Sequence, residues 1–207
     1  MKNEPLLDRY PSLVLVADKK LVKIPGQIQQ FPRRAYLPVM DESLWKIHSG
    51  AVQSISWRED GTHVSLGIWG PDDLIGHAIS SINPYYLECL TPVKVTLVPL
   101  NDWSPDSNFL IEHIYQLEML LAIRSCKRIE EMVLQLLKLL SNKFGRVGTQ
   151  GSIIDLRLTH QDIADLLGTT RVTVTRILQK LEERGVIERL SIRQIILKDS
   201  DFWHYQI

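Results

Sequence analysis

THQDIADLLGTTRVTVTRILQKLEER, Thr159 to Arg184, decides how the rest of the chain is read. Thr159 with Asp162 three residues on is a capping box that starts one helix. Ala164 is small enough for a second helix to approach closely. Gly168 follows where the connecting turn needs a backbone with φ > 0. Thr169 or Thr170 caps the second helix, whose inner face carries Val174 and Ile177. Ile163, Leu166, Leu167, Leu178 and Leu181 complete a small core. The spacing is that of a helix-turn-helix.

The second helix has residues left over. Arg171, Val172, Thr175, Arg176 and Gln179 share the face turned away from that core. Two arginines on one face near a helix N-terminus suit guanine edges in a major groove. Thr159, His160, Thr170, Thr173, Lys180 and Arg193 complete the candidate DNA contacts. The competing reading is a solvated helix with two ordinary arginines.

Composition narrows the alternatives. With 44% hydrophobic and 23% charged residues, the 207-residue chain is an ordinary globular protein of one large or two modest domains. Its formal net charge is zero, so attraction to nucleic acid must be local. From Arg171 to Lys198 seven Lys/Arg face three acids, an excess of four that fits a phosphate-facing module. The two cysteines, Cys89 and Cys126, have no metal-ligand spacing and read as buried thiols in a reducing compartment. No run approaches the roughly 18 apolar residues of a membrane span, and no secretory signal opens the chain. A cytoplasmic protein without membrane contact is expected.

Upstream, residues 1–105 alternate short apolar runs with turn residues. LVLVA (13–17), LVKI (21–24), SLWKI (43–47), AVQSISW (51–57), HVSLGIW (63–69) and VKVTLVPL (93–100) read as strands of a sandwich, barrel or jelly roll. Trp57 to Gly61 reads as a hairpin tip. The period changes after Asp106. Leu110, Ile114, Leu117 and Leu121 form a heptad-like seam, and Ile129, Val133, Leu136 and Leu140 resume it in a new phase. Two helices, or one with a hinge near Ser125 to Arg128, are expected. Met119, Leu120 and Ile123 widen the first stripe, so one flank should pack on the β domain and the seam on a second copy. The alternative is a core helix within one chain. Phe144 to Gly151 reads as a glycine-rich loop and lacks the GK[ST] ending of a phosphate loop. Val186 to Leu190 and Arg193 to Leu197 read as a basic wing hairpin.

Together these parts resemble the CRP/FNR superfamily of bacterial transcription regulators. LWKIHSGAVQSISWREDGTHVSLGIWGPDDLIG (44–76) follows the β-domain pattern, and LTHQDIADLLGTTRVTVTRILQKLEERGVI (158–187) the DNA-domain pattern. TRVTVTRIL (170–178) is most like the cyanobacterial global nitrogen regulators. The resemblance implies an α+β chain. A cyclic-nucleotide-binding-like β-roll sensor (jelly roll) covers 1–105, a long dimerisation helix 106–127, and a winged helix-turn-helix 128–207. It implies a homodimer, joined through Leu110, Ile114, Leu117 and Leu121, on double-stranded DNA with inverted-repeat half-sites. Val172 stands where cyclic-AMP-dependent members have a glutamate that accepts from cytosine. A valine instead packs on a thymine methyl, which favours GTA/TAC half-sites. RNA polymerase is the candidate protein partner.

The sensor departs from the superfamily. Cyclic-nucleotide binders use a Glu for ribose and an Arg for phosphate, and here His77, Tyr85 and Tyr86 occupy that region. An anion without a guanidinium partner argues against a cyclic nucleotide. The nitrogen regulators' 2-oxoglutarate site is matched only at Glu118, with Asn83 and His113 at its arginine positions. Iron–sulfur members need N-terminal cysteines, and residues 1–40 have none. Haem-binding members pair a histidine at His77 with a cysteine where Ile75 stands. No cofactor is therefore expected, and the effector is left open. An enzyme of cupin type would use His48, His63 and His77 as metal ligands, but its HxH pattern is missing. No catalytic or metal-binding residue is expected.

Overall fold

Apolar residues recur every second position in the first half of the chain, and those positions turn inward as strands. The computed structural model describes residues 26–102, 107–191 and 194–198. The runs expected as strands at 13–17 and 21–24 lie outside them. Strands β1 (Ile28–Phe31), β8 (Val93–Pro99), β3 (Ser43–Ser49) and β6 (Leu74–Ile75) form one four-stranded sheet in that order. Strands β2 (Tyr36–Leu37), β7 (Tyr86–Cys89), β4 (Val52–Trp57) and β5 (His63–Trp69) form a second. Every pairing is antiparallel. Both sheets turn side chains into one core: Trp45, Ile47, Ile75, Val95 and Leu97 from the first, and Leu37, Val52, Trp69, Leu87 and Cys89 from the second. Burial pushes the Cys89 thiol up to about 12, so it is an inert core group.

The expected tip at Trp57 to Gly61 closes the β4–β5 hairpin, with Trp57 opposite His63. The Gly61 N–H donates to the Arg58 carbonyl at 2.9 Å, and the Asp60 carboxylate accepts from Thr62 N–H at 2.8 Å.

Contacts divide the chain at 113/114. That boundary falls inside helix α1 (Ser107–Ser125), beyond the expected limit at 105, because His113 stacks on Trp69 of β5. The backbone leaves helical geometry near 126–128 and resumes as α2 (Ile129–Phe144), where the interrupted seam placed a hinge. On α1, Leu120 and Ile123 are buried, while Leu110, Ile114, Leu117 and Leu121 are exposed at 44%, 51%, 42% and 71%.

The second unit continues with β9 (Gly145–Gly148) and β10 (Gly151–Ile154), then α3 (His160–Leu167) and α4 (Arg171–Glu183), then β11 (Ile187–Ser191) and β12 (Gln194–Lys198). Its sheet has the order β11-β12-β10-β9. Two features correct the sequence reading. Phe144 to Gly151 is not a loop: most of it forms β9 and the turn of a hairpin with β10. Ile177 is half-buried rather than fully inside.

Candidate nucleic-acid interface

The turn between α3 and α4 is built as its residues dictate. The Thr159 hydroxyl accepts from Asp162 N–H at 3.1 Å, and the Asp162 carboxylate accepts from Thr159 N–H at 2.7 Å. Gly168 has φ 67 and ψ 36, a left-handed conformation that an L side chain resists. Its N–H caps the Ala164 and Asp165 carbonyls. Thr170, not Thr169, caps α4 by accepting from Thr173 N–H at 3.2 Å. Ile163, Ala164, Leu166, Leu167, Val174, Leu178 and Leu181 are all buried beneath. Burial on that scale stabilises by about 1.5–3 kcal/mol per large side chain, so α4 is firmly held.

On the outer side, Arg171, Val172, Thr175, Arg176 and Gln179 line a shallow recess of about 380 Å³. Val172 is 78% exposed, and Arg171, Arg176 and Gln179 are exposed with it. A valine exposed to that degree makes little packing contact within the chain. Other expected contacts are engaged within the protein. The Thr175 hydroxyl donates to the Arg171 carbonyl at 2.9 Å and lies 2.7 Å from His160 Nδ1. With the hydroxyl proton so placed, the imidazole Nδ1–H is the donor to Thr175. Thr170 and Thr173 are tied to each other at the cap, at 2.9 Å. Lys180 Nζ is 2.6 Å from the Glu130 carboxylate. Arg193 lies outside the described residues.

The cations sort the same way. Glu130 holds Lys180 and Arg184, Glu182 holds Arg189, and Glu188 holds Lys198. Among the described residues of 171–198, Arg171 and Arg176 are the two cations with no carboxylate partner. The neighbouring cations pull the Glu130 and Glu182 carboxyls below their usual range, through hydrogen bonds from Lys180 and Arg189 first. A larger groove of about 830 Å³ runs beside α4, lined by His160, Gln161, Arg171, Glu182 and Arg189 among others. Burial, then Arg189 and Arg171, hold the His160 imidazole below its ordinary value. Sequence reading missed Glu130, Glu182 and Arg189. Glu182 and Arg189 are seven residues apart, and Glu130 meets its partners across 50 and 54 positions.

Residues 128–201 match the model of the Crp-like helix-turn-helix domain. Over 161 residues the chain is 44% identical to the regulatory protein CysR of Synechococcus elongatus, covering 76% of this chain and 77% of that one. The chain belongs to the CRP/FNR family of transcription regulators. A global nitrogen regulator of the same organism is 29% identical over 185 residues, covering 80% of this chain and 83% of its own. Solved CRP/FNR folds superpose closely. A CRP-family transcriptional regulator of Thermus thermophilus gives a TM-score of 0.70 at 19% identity, over 83% of this chain and 92% of that one. FixK2 of Bradyrhizobium japonicum gives 0.69 at 20%, over 85% and 94%. These regulators, not metal-dependent jelly-roll enzymes, are what the chain resembles. Its three candidate ligands do not gather: His48 bonds Thr96 at 2.7 Å, His63 lies edge-on to Trp57 at 4.9 Å, and His77 meets Asp41 at 2.9 Å.

In the β domain of this CRP/FNR chain, His77 and Tyr85 of the expected pocket residues meet, with ring centroids 5.9 Å apart. Tyr85 is buried in the core, and burial pushes its phenol up to about 12. Tyr86 is on the opposite sheet face, edge-on to Tyr36 at 6.3 Å. Placing both tyrosines in one pocket is therefore corrected, since successive strand residues face opposite sides. The His113 ring stacks on Trp69 at 4.4 Å and 12°, and Trp69 Nε1 donates to Ser54 at 2.8 Å. Gly67 makes room for that indole, because a Cβ there would lie 2.6 Å from it. Asn83 is exposed, and Glu118 lies exposed on α1 in the second unit. His77 Nδ1 is 2.9 Å from the Asp41 carboxylate.

Proposed function

We propose that this CRP/FNR regulator binds an inverted-repeat duplex as a homodimer, one α4 in each of two successive major grooves. The observation that carries the reading is the pair Arg171 and Arg176: exposed on α4, without carboxylate partners among the described residues, beside an exposed Val172. Arg171 and Arg176 present bidentate donors to guanine edges or flanking phosphates. Val172 packs on a thymine methyl, and Gln179 reaches the edge of the site. Half-sites of GTA/TAC type fit these chemistries. Thr159, His160, Thr170, Thr173 and Thr175 position the reading helix. The seam of Leu110, Ile114, Leu117 and Leu121 supplies the self-complementary apolar strip that joins two copies. Two recognition helices then stand about 34 Å apart, one helical turn of DNA.

The β domain acts as the sensor, α1 as the dimerisation helix and the remainder as the DNA reader, in the cytoplasm where the DNA is. RNA polymerase is the protein partner of such a regulator. The sensor takes neither cyclic nucleotide nor haem, and its 2-oxoglutarate clamp lacks both arginines. Selection of bound fragments from a random duplex library tests the reading, with and without metabolite extract. A palindrome with the two half-sites one turn apart is expected. For Arg176→Ala, specific binding to it should weaken by about 1–3 kcal/mol. Unchanged discrimination by that variant would remove Arg176 from the interface.

A further inference from the structure

α1 ends at Ser125 and α2 starts at Ile129, so three residues separate the seam helix from the DNA reader. Such a short break would leave the reader free to swing, were nothing else to cross it. Something does. The Nε of Arg124, in the last turn of α1, donates to the carbonyl of Leu166 at 2.8 Å. Leu166 lies at the C-terminal end of α3, where the last carbonyls of a helix have no intrahelical donor. The Gly168 and Thr169 N–H groups serve Ala164 and Asp165. Arg124 serves Leu166, and its positive charge meets the negative end of the α3 dipole. Beyond the break, Glu130 in the first turn of α2 holds Lys180 and Arg184 of α4, with its own side chain only 12% exposed. The connector is thus pinned on both sides, to α3 before it and to α4 after it.

We infer that Arg124 is a positioning residue that fixes the angle between the seam helix and the reading helix, and so sets the half-site spacing the dimer accepts. The inference rests on the dimeric reading proposed above. Arg124 acts on the end of α3 through the Leu166 carbonyl, so its effect falls on geometry between the two heads. Adding one base pair between half-sites moves the second by about 3.4 Å and turns it by about 34°. A rigid connector rejects that change, and a loose one follows it.

The test uses the full chain and a series of duplexes carrying the selected palindrome. Its centre is lengthened or shortened by one and two base pairs, and a single half-site duplex accompanies the series. Wild type should lose about tenfold or more per added or removed base pair, the scale of one mismatched position. Arg124→Met keeps much of the stem and loses the donor. It should bind the whole series within about threefold, while its single half-site affinity stays within about twofold of wild type. Arg124→Lys retains the cation and should recover part of the spacing preference. It also serves if the methionine variant is poorly folded. Wild-type spacing discrimination in both variants would overturn the inference and leave the dimeric reading intact. A wild-type protein indifferent to spacing would overturn the dimeric reading, and the inference with it.

Discussion

His160 opens α3, yet its ring is committed to α4 through Thr175. Burial first, then the nearby cations Arg189 and Arg171, disfavour its protonated form. Its folded value is below the ordinary 6.5, so the unfolded chain binds the proton more readily. The stability it contributes is present above 6.5 and is lost as pH falls through the depressed folded value. The Glu130 and Glu182 carboxyls, depressed from 4.5, lose theirs only at still lower pH. Thermal unfolding followed by helix circular dichroism should therefore shift down between about pH 7.5 and about pH 5.5. His160→Gln keeps an N–H donor and removes the titration, so its shift over that interval should be smaller. Residues whose roles are local were legible: Thr159, Asp162, Gly168 and Thr170 act within one turn, and their spacing states it. The Lys180–Glu130 pair was not legible, because its two members are 50 positions apart. Tyr86 was misplaced for a different reason, since the two-residue period of a strand already separates it from Tyr85.

At the level of elements, the α1 seam is the feature most exposed to test. Four leucines and isoleucines in water on one helix, with Ile111, Tyr115 and Met119 also exposed, form a face that a single chain leaves open. Leu117→Glu places a carboxylate in the middle of it. Sedimentation should then report half the mass. Affinity for the palindrome should fall by about 100-fold or more as the second binding event ceases to be intramolecular. A variant that still sediments as a dimer would exclude this seam as the joint. The helices were readable because long periodic segments announce themselves. The glycine-rich β9 was not, since glycine is a poor strand former and its partner β10 provides the reason to extend. Two-residue strands such as β2 and β6 carry too little pattern to be seen before the sheet exists.

For the molecule as a whole, the β domain and the reader were legible to different degrees. The reader's fold and its exposed arginines follow from one continuous segment. The β domain's interior does not, because Trp69 and His113 meet from 44 positions apart, as the difference of their numbers shows. That stack, Ser54 and the acid at His77 predict that cyclic AMP and 2-oxoglutarate at millimolar level leave the melting temperature unmoved. Any binder present at about 100 times its Kd would add about 2.7 kcal/mol and be plainly visible. A clear upward shift with either would restore it as an effector. The unit boundary at 113/114 bears on how such a chain can be re-engineered. It falls within an uninterrupted α1, where each inserted residue turns everything downstream by about 100°. A chimaera spliced there must preserve helical phase to the residue, whereas a graft at the 126–128 interruption has no helical phase to preserve but must carry the arginine clasp with it.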